Sequence, residues 1–140
     1  MTATRILLPV LVQIGLTFFL QFWMAYERIS ALKRREVRVP DIALGQRVWP
    51  ERATQISNAF HNQLELPLLF YVLVALALVT SRVDDTLIWL AWLFVILRFV
   101  HAFIHTTGNR VQPRFYAYLA GSLVLVAMWM RFALSVGGSA

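Results

Sequence analysis

The sequence predicts an all-α protein, a four-helix bundle embedded in a membrane, and three observations carry that prediction. Of its 140 residues 59% are hydrophobic and only 14% charged, whereas soluble domains are near half apolar and a quarter charged. Four stretches approach the roughly 20 apolar residues that a helix needs to cross the hydrocarbon core. The connections between them alternate in charge, as loops on opposite sides of a bilayer do. The length allows one domain, residues 1–140, with little room for a second.

The first helix is expected over about residues 6–26. Its apolar run is too long for a signal-peptide core and no small-residue cleavage site follows, so it reads as a retained span. The second is expected over about 53–80. Its apolar part, Leu66 to Val79, is too short to span alone, so the helix has to begin near Ala53 and carry Asn58, His61, Asn62 and Glu65 with it. Pro67 lacks the N–H that would bond the Gln63 carbonyl, and a kink is expected there. The third and fourth helices are expected over about 86–105 and 115–136.

Loop one holds seven of the thirteen Lys and Arg residues: Arg28, Lys33, Arg34, Arg35, Arg38, Arg47 and Arg52. Loop two, Ser81 to Asp85, is short and net acidic. Loop three, Thr106 to Arg114, carries the turn-forming Gly108, Asn109 and Pro113 together with Arg110 and Arg114. The positive-inside rule then puts loops one and three in the cytoplasm and both termini outside, in a multi-pass protein of a bacterial inner membrane. Trp23, Trp89, Trp92 and Trp129 fall near helix ends, where amphipathic rings favour the interface. No internal repeat appears, and Gly137 to Ala140 reads as a disordered tail.

The net charge of +6 does not point to nucleic acid, because the charge sits in a loop between two spans instead of on the face of a soluble fold. The chain has no cysteine, which excludes disulfides, thiolate-bound metals and a cysteine nucleophile. Any thiol chemistry must use a thiol that a ligand brings.

Polar side chains within a span are costly and are functional candidates by default. In the second helix Asn58, Asn62 and Glu65 follow spacings of four and three, which put them on one face with His61 just beside it. At 1.5 Å per residue Glu65 is expected near the midplane, where a carboxylate has to be neutral or paired. Arg98, His101 and His105 share a face of the antiparallel third helix in the same way. Both stripes approach the cytoplasmic boundary, so a pocket opening there and lined by carboxylate, guanidinium, amides and imidazoles satisfies them together.

Plainer readings exist for each. Arg98 lies about 10 Å from its helix end and can snorkel to the headgroups. The asparagines can bond neighbouring helices. His101 and His105 have metal-ligand spacing, but no acidic ligand is close in sequence, and no metal is expected. Arg131 reads as an interfacial anchor, and Phe18, Phe19, Phe94, Phe99 and Phe103 as lipid-facing or packing residues.

Asn62-Gln63-Leu64-Glu65 followed by Pro67 resembles the N-x-x-E…P signature in the second helix of the MAPEG superfamily, the membrane-associated proteins of eicosanoid and glutathione metabolism. Arg98-Phe99-Val100-His101 resembles the R-x-x-H of its third helix, and Pro113-Arg114 the proline and arginine that open the fourth. The resemblance covers essentially the whole chain and is similar to a prokaryotic branch. It implies a homotrimer of four-helix subunits binding glutathione, as co-substrate, between neighbouring subunits on the cytoplasmic side. Carried over, it has Asn62 and Glu65 hold the polar ends of glutathione, Arg28 contact a carboxylate, Arg98 and His101 shape the pocket, and Arg114 or Arg110 sit near the thiol. The partners it implies are membrane lipid and a lipophilic small-molecule substrate.

Three departures stand beside the resemblance. Asn58 takes a position where many family enzymes have Arg, His105 one where they have Tyr, and the proline falls one residue early. These changes remove a carboxylate clamp and a phenolic donor. A glutathione-dependent transferase or peroxidase is the leading expectation, and a non-catalytic lipid- or ligand-binding protein the alternative. A small proton-coupled exporter fits less well, since the first helix has no acid before Glu27 and the first loop is long.

Overall fold

The computed structural model describes residues 2–45 and 48–138. Arg47 of the basic loop and Ser139 and Ala140 of the tail lie outside the described residues. In order the elements are α1 (Thr2–Lys33), α2 (Val39–Ile42), α3 (Glu51–His61), a single 3-10 turn (Asn62–Leu64), α4 (Leu66–Val79), α5 (Asp85–Thr106) and α6 (Val111–Gly137). Among the described residues four helical stretches are long and apolar enough to cross a membrane: Thr4–Lys33, Glu51–Val79, Asp85–Thr106 and Val111–Gly137.

The third span, α5, lies within a residue of its expected ends, and the other three depart from theirs for local reasons. α1 runs seven residues past Tyr26, to Lys33, because Glu27 to Lys33 contains no helix breaker and its polar groups need only leave the apolar layer. α6 begins at Val111 instead of near 115. Pro113 falls in its first turn, where a missing N–H leaves no helical bond unmade, so the proline opens the helix and does not belong to the loop. The second span is interrupted more than a kink requires. α3 ends at His61, and Glu65 takes a non-helical backbone conformation (φ −93°, ψ −98°) before α4 restarts with Pro67 in its first turn.

The main apolar core joins α1, α4, α5 and α6 around Ile6, Phe70, Leu73, Phe94, Leu125 and Met128. Phe70 and Phe94 stack with centroids 4.9 Å apart. A smaller cluster at the other end joins Leu16, Leu20, Ala59 and Ala102, where two alanines let helix backbones approach closely. Between these clusters, on α1, the broken span and α5, lie the buried polar residues Gln13, Gln63 and Arg98. Outward-facing Phe18, Phe19, Phe99 and Phe103 are 43–69% exposed, as expected of side chains that meet lipid. Phe94 instead is fully buried.

Loop two is pinned by charge. Asp84 caps α5, its Oδ1 accepting from the Leu87 amide at 2.8 Å, and forms an ion pair with Arg131 of α6, whose Nε and Nη2 both donate to Oδ2. The Arg131 guanidinium holds the Asp84 carboxyl below the usual carboxylate range. Arg131 is thus anchored to loop two, and Arg82 donates to the Ser135 carbonyl beside it.

Candidate functional site

The site lies at the basic end of the bundle, where α3 is fastened across the ends of α1 and α5. Arg52 donates to the Thr106 carbonyl at 2.6 Å, and Gln55 Nε2 to the His105 carbonyl at 2.7 Å. These donors satisfy carbonyls that the C-terminus of α5 leaves without helical partners. Arg52 also lies over the Trp23 ring, 5.1 Å from its centroid, and near Glu27. The last turn of α5, with His105 in it, is therefore fixed by its neighbour.

A cleft of about 400 Å³ opens beside this joint, lined by Asn58, His61, Asn62, Glu65, His101, His105, Val111, Arg114, Phe115 and Tyr118. The structure thus brings Asn58, His61, Asn62 and Glu65 together with His101 and His105 of the second stripe in one cavity, leaves Arg98 outside its lining, and adds the first turns of α6. Its size is within the range of small-molecule sites.

On the α3 wall His61 is exposed, and its Nδ1 lies 2.7 Å from the Ser57 carbonyl. A carbonyl can only accept, so that contact puts a ring proton on Nδ1. Asn62 Nδ2 donates to the Asn58 carbonyl at 3.1 Å, which orients its amide and leaves the side-chain oxygen free to accept. Glu65 is exposed to the cleft. Its backbone lies at the helix break, between the 3-10 turn and α4.

On the opposite wall His101 and His105 are 3% and 4% exposed, with ring centroids 5.6 Å apart. The Nδ1 atoms of both are buried without a hydrogen-bond partner among the described residues. The Tyr118 ring is 5.8 Å from that of His101. Arg114, one turn before Tyr118, is oriented by loop three, its Nη1 donating to Asn109 Oδ1. Asn109 holds a left-handed conformation, φ 46°, which asparagine tolerates better than most residues. Among the described residues no three His, Cys, Asp or Glu side chains gather closely enough to hold a metal ion.

The other expected site residues lie around the cleft. Arg98 is 1% exposed and donates Nη2 to the Asn62 carbonyl at 2.9 Å, so it braces the cleft from behind and does not snorkel. Arg28 occupies an adjoining cleft of about 620 Å³ with Trp49, Thr54 and Ser57, sharing Asn58 with the first. Its Nη2 donates to Ser57 Oγ at 2.9 Å, and its guanidinium is 5.0 Å from the Trp49 centroid. Arg110 is the exposed N-cap residue of α6 and does not line the cleft.

Sequence reasoning missed Tyr118, Val111 and Phe115. The spacing was readable: 111, 114/115 and 118 follow the helical period from Arg114. It also missed Gln13 and Gln63, whose bond joins positions 50 residues apart, and the contact of Asn109 with Arg114.

Chemically, one wall offers a carboxylate and amides, suited to ammonium and amide groups. The other offers a guanidinium, two imidazoles and a phenol, suited to a carboxylate or thiolate. Val111 and Phe115, 67% and 56% exposed, give the mouth an apolar side. Neither the comparison with curated proteins nor that with solved structures gives a match. The MAPEG family model matches residues 6–134. The chain belongs to the MAPEG family, a family of four-helix membrane proteins that includes glutathione transferases and peroxidases.

Proposed function

We propose that this MAPEG-family chain is a glutathione-dependent transferase or peroxidase acting on lipophilic electrophiles. The observation that carries the reading is the single cleft joining Asn62 and Glu65 on one wall to Arg114 on the other. Glutathione has an ammonium group, two carboxylates, amides and a thiol, and needs both kinds of wall at once. Asn58, His61, Asn62 and Glu65 bind its amide and ammonium groups. Arg114 faces the sulfur, with His101, His105 and Tyr118 as further polar neighbours, and Arg28 reaches a carboxylate through the shared wall at Asn58.

Arg114 supplies the chemical activation. A thiol near pKa 8.5 is mostly protonated at neutral pH, and a guanidinium beside it favours the thiolate. In conjugation the S–H proton leaves to solvent, the sulfur forms the new bond to the electrophilic atom, and the leaving group departs with its electron pair. Val111 and Phe115 give an apolar electrophile a path from the lipid, and holding both reactants in one cleft supplies much of the rate. The chain works as a homotrimer in a bacterial inner membrane, with its basic end and the cleft toward the cytoplasm and both termini outside. A non-catalytic lipid-binding role is favoured instead if Asn58 and His105, which stand where family enzymes have Arg and Tyr, leave too few clamps for glutathione.

The test is thermal unfolding of the detergent-purified protein with and without glutathione and an S-alkyl glutathione. A ligand at a hundred times its dissociation constant stabilises by about 2.7 kcal/mol. The expected result is an upward shift that Glu65→Gln abolishes. No shift at millimolar ligand removes glutathione from the reading and leaves lipid binding in its place.

A further inference from the structure

The second span is broken where it could have run straight, and two neighbouring helices reach into the break. Pro67 accounts for one missing bond, since it has no N–H for the Gln63 carbonyl. It does not explain why the whole stretch Asn62–Glu65 leaves the α-helical path, nor what satisfies it away from water, where unpaired backbone groups are costly.

The contacts answer both points. From α5, Arg98 donates Nη2 to the carbonyl of Asn62 at 2.9 Å. From α1, Gln13 donates Nε2 to Gln63 Oε1 at 3.0 Å, and Gln63 donates its own Nε2 back to the Ala59 carbonyl at 3.2 Å. Gln13, Gln63 and Arg98 are 0%, 1% and 1% exposed, so water does not compete for these bonds. Arg98 Nε and Nη1 have no acceptor among the described residues. The guanidinium is thus committed to a backbone carbonyl at the break, and it is not among the residues lining the cleft.

We propose that Arg98 is a positioning residue and that Gln13 is its counterpart on the opposite side of the break. Together they hold the turn Asn62–Leu64 in its non-α form, and that form aims the Glu65 side chain into the cleft. Neither residue touches a ligand in this arrangement. The consequence for binding rests on the proposed function, while the geometry stands without it.

The absence of cysteine from the chain allows a direct test with no ligand present. Glu65→Cys places a thiol at the break and Asn58→Cys places one on α3 before it. Each is labelled, in detergent-purified protein, with a charged, membrane-impermeant thiol reagent. Each is then combined with Arg98→Met, Arg98→Lys or Gln13→Leu. Loss of one charge-assisted bond shifts a local equilibrium by on the order of tenfold. Arg98→Met is therefore expected to slow labelling of Glu65→Cys about tenfold, with Asn58→Cys unchanged. Gln13→Leu is expected to act in the same direction, and Arg98→Lys to restore part of the rate. Equal rates at the Glu65→Cys position with and without Arg98→Met overturn the proposal. So does a parallel change at both positions, which marks general loosening. If Arg98→Met does not fold, Arg98→Lys and Gln13→Leu decide the matter by the same two readings. Failure of glutathione to stabilise the protein leaves these rates untouched, so the two ideas fail separately.

Discussion

Replacing Gln13 and Gln63 by leucine, singly and together, tests whether the buried polar layer is a coupled unit. Gln13→Leu removes the 3.0 Å bond and leaves Gln63 Oε1 without its donor, while Gln63 Nε2 keeps the Ala59 carbonyl. An acceptor stranded in a buried site costs about 1–3 kcal/mol. Gln63→Leu strands Gln13 Nε2 in the same way, and Gln13 Oε1 already has no partner among the described residues. The double variant strands neither side chain, so its cost should be well below the sum of the two. Interhelical pairs in membrane proteins couple by about 0.6 kcal/mol on average and about 1.7 at most, because unfolded segments in lipid find other partners. With both side chains at 1% exposure or less, this pair belongs toward the upper end, at about 1–1.5 kcal/mol. The assay is reversible unfolding in a mixed-detergent titration, with all four proteins measured under one condition. Costs that add to within about 0.3 kcal/mol refute the coupling.

Two further outcomes follow from charge. Arg114→Ala should lower conjugation turnover about tenfold at neutral pH, one pKa unit of thiolate stabilisation, and the deficit should shrink as the pH rises past the thiol's own pKa. Turnover unchanged at every pH removes Arg114 from the mechanism. Because Arg131 holds the Asp84 carboxyl below the usual carboxylate range, the pair's stabilisation is fully present above the ordinary Asp pKa of about 3.9. It is lost as the pH falls through the depressed folded value. Both side chains are close to half exposed, at 44% and 47%, so Asp84→Asn should cost less than about 1 kcal/mol at pH 7. Asp84→Ala also loses the α5 cap, adding about 1 kcal/mol. Melting curves of the three proteins from pH 7 to pH 3 read this directly, and a wild-type advantage that grows toward acid contradicts the assignment.

Much of the fold was legible because lipid imposes a strong constraint: apolar length and loop charge identify spans almost without regard to packing. The four helices and both polar stripes follow from spacing alone. Helix ends were less legible, since the apolar layer ends before the helix does. Glu27 to Lys33 continue α1 as ordinary helix formers, and Pro113 has one meaning in a loop and another in a first turn. The break after His61 was only half readable. Pro67 announces a missing hydrogen bond, but the extent of the disruption depends on Arg98 and Gln13, which lie 36 and 49 residues from Asn62 along the chain. The two apolar residues at the cleft mouth were hidden because Val111 and Phe115 look like any lipid-facing pair until the adjacent wall is in place.

The break also resolves a conflict in the second span. Its continuous apolar helix, α4, has 14 residues, about 21 Å long and short of the hydrocarbon core. The remainder must come from α3, which is amphipathic and carries the site. A charged side chain left in hydrocarbon costs roughly 2.5–3.5 kcal/mol. At the turn Asn62–Leu64 the Glu65 carboxylate opens to the cleft, and the buried charge beside it is Arg98, whose Nη2 donates to the Asn62 carbonyl. A guanidinium held behind the cleft and another, Arg114, on its wall outnumber the carboxylate of Glu65. The local field therefore favours an occupant with an excess of negative charge. Glutathione in its thiolate form has that excess, and neutral lipids do not.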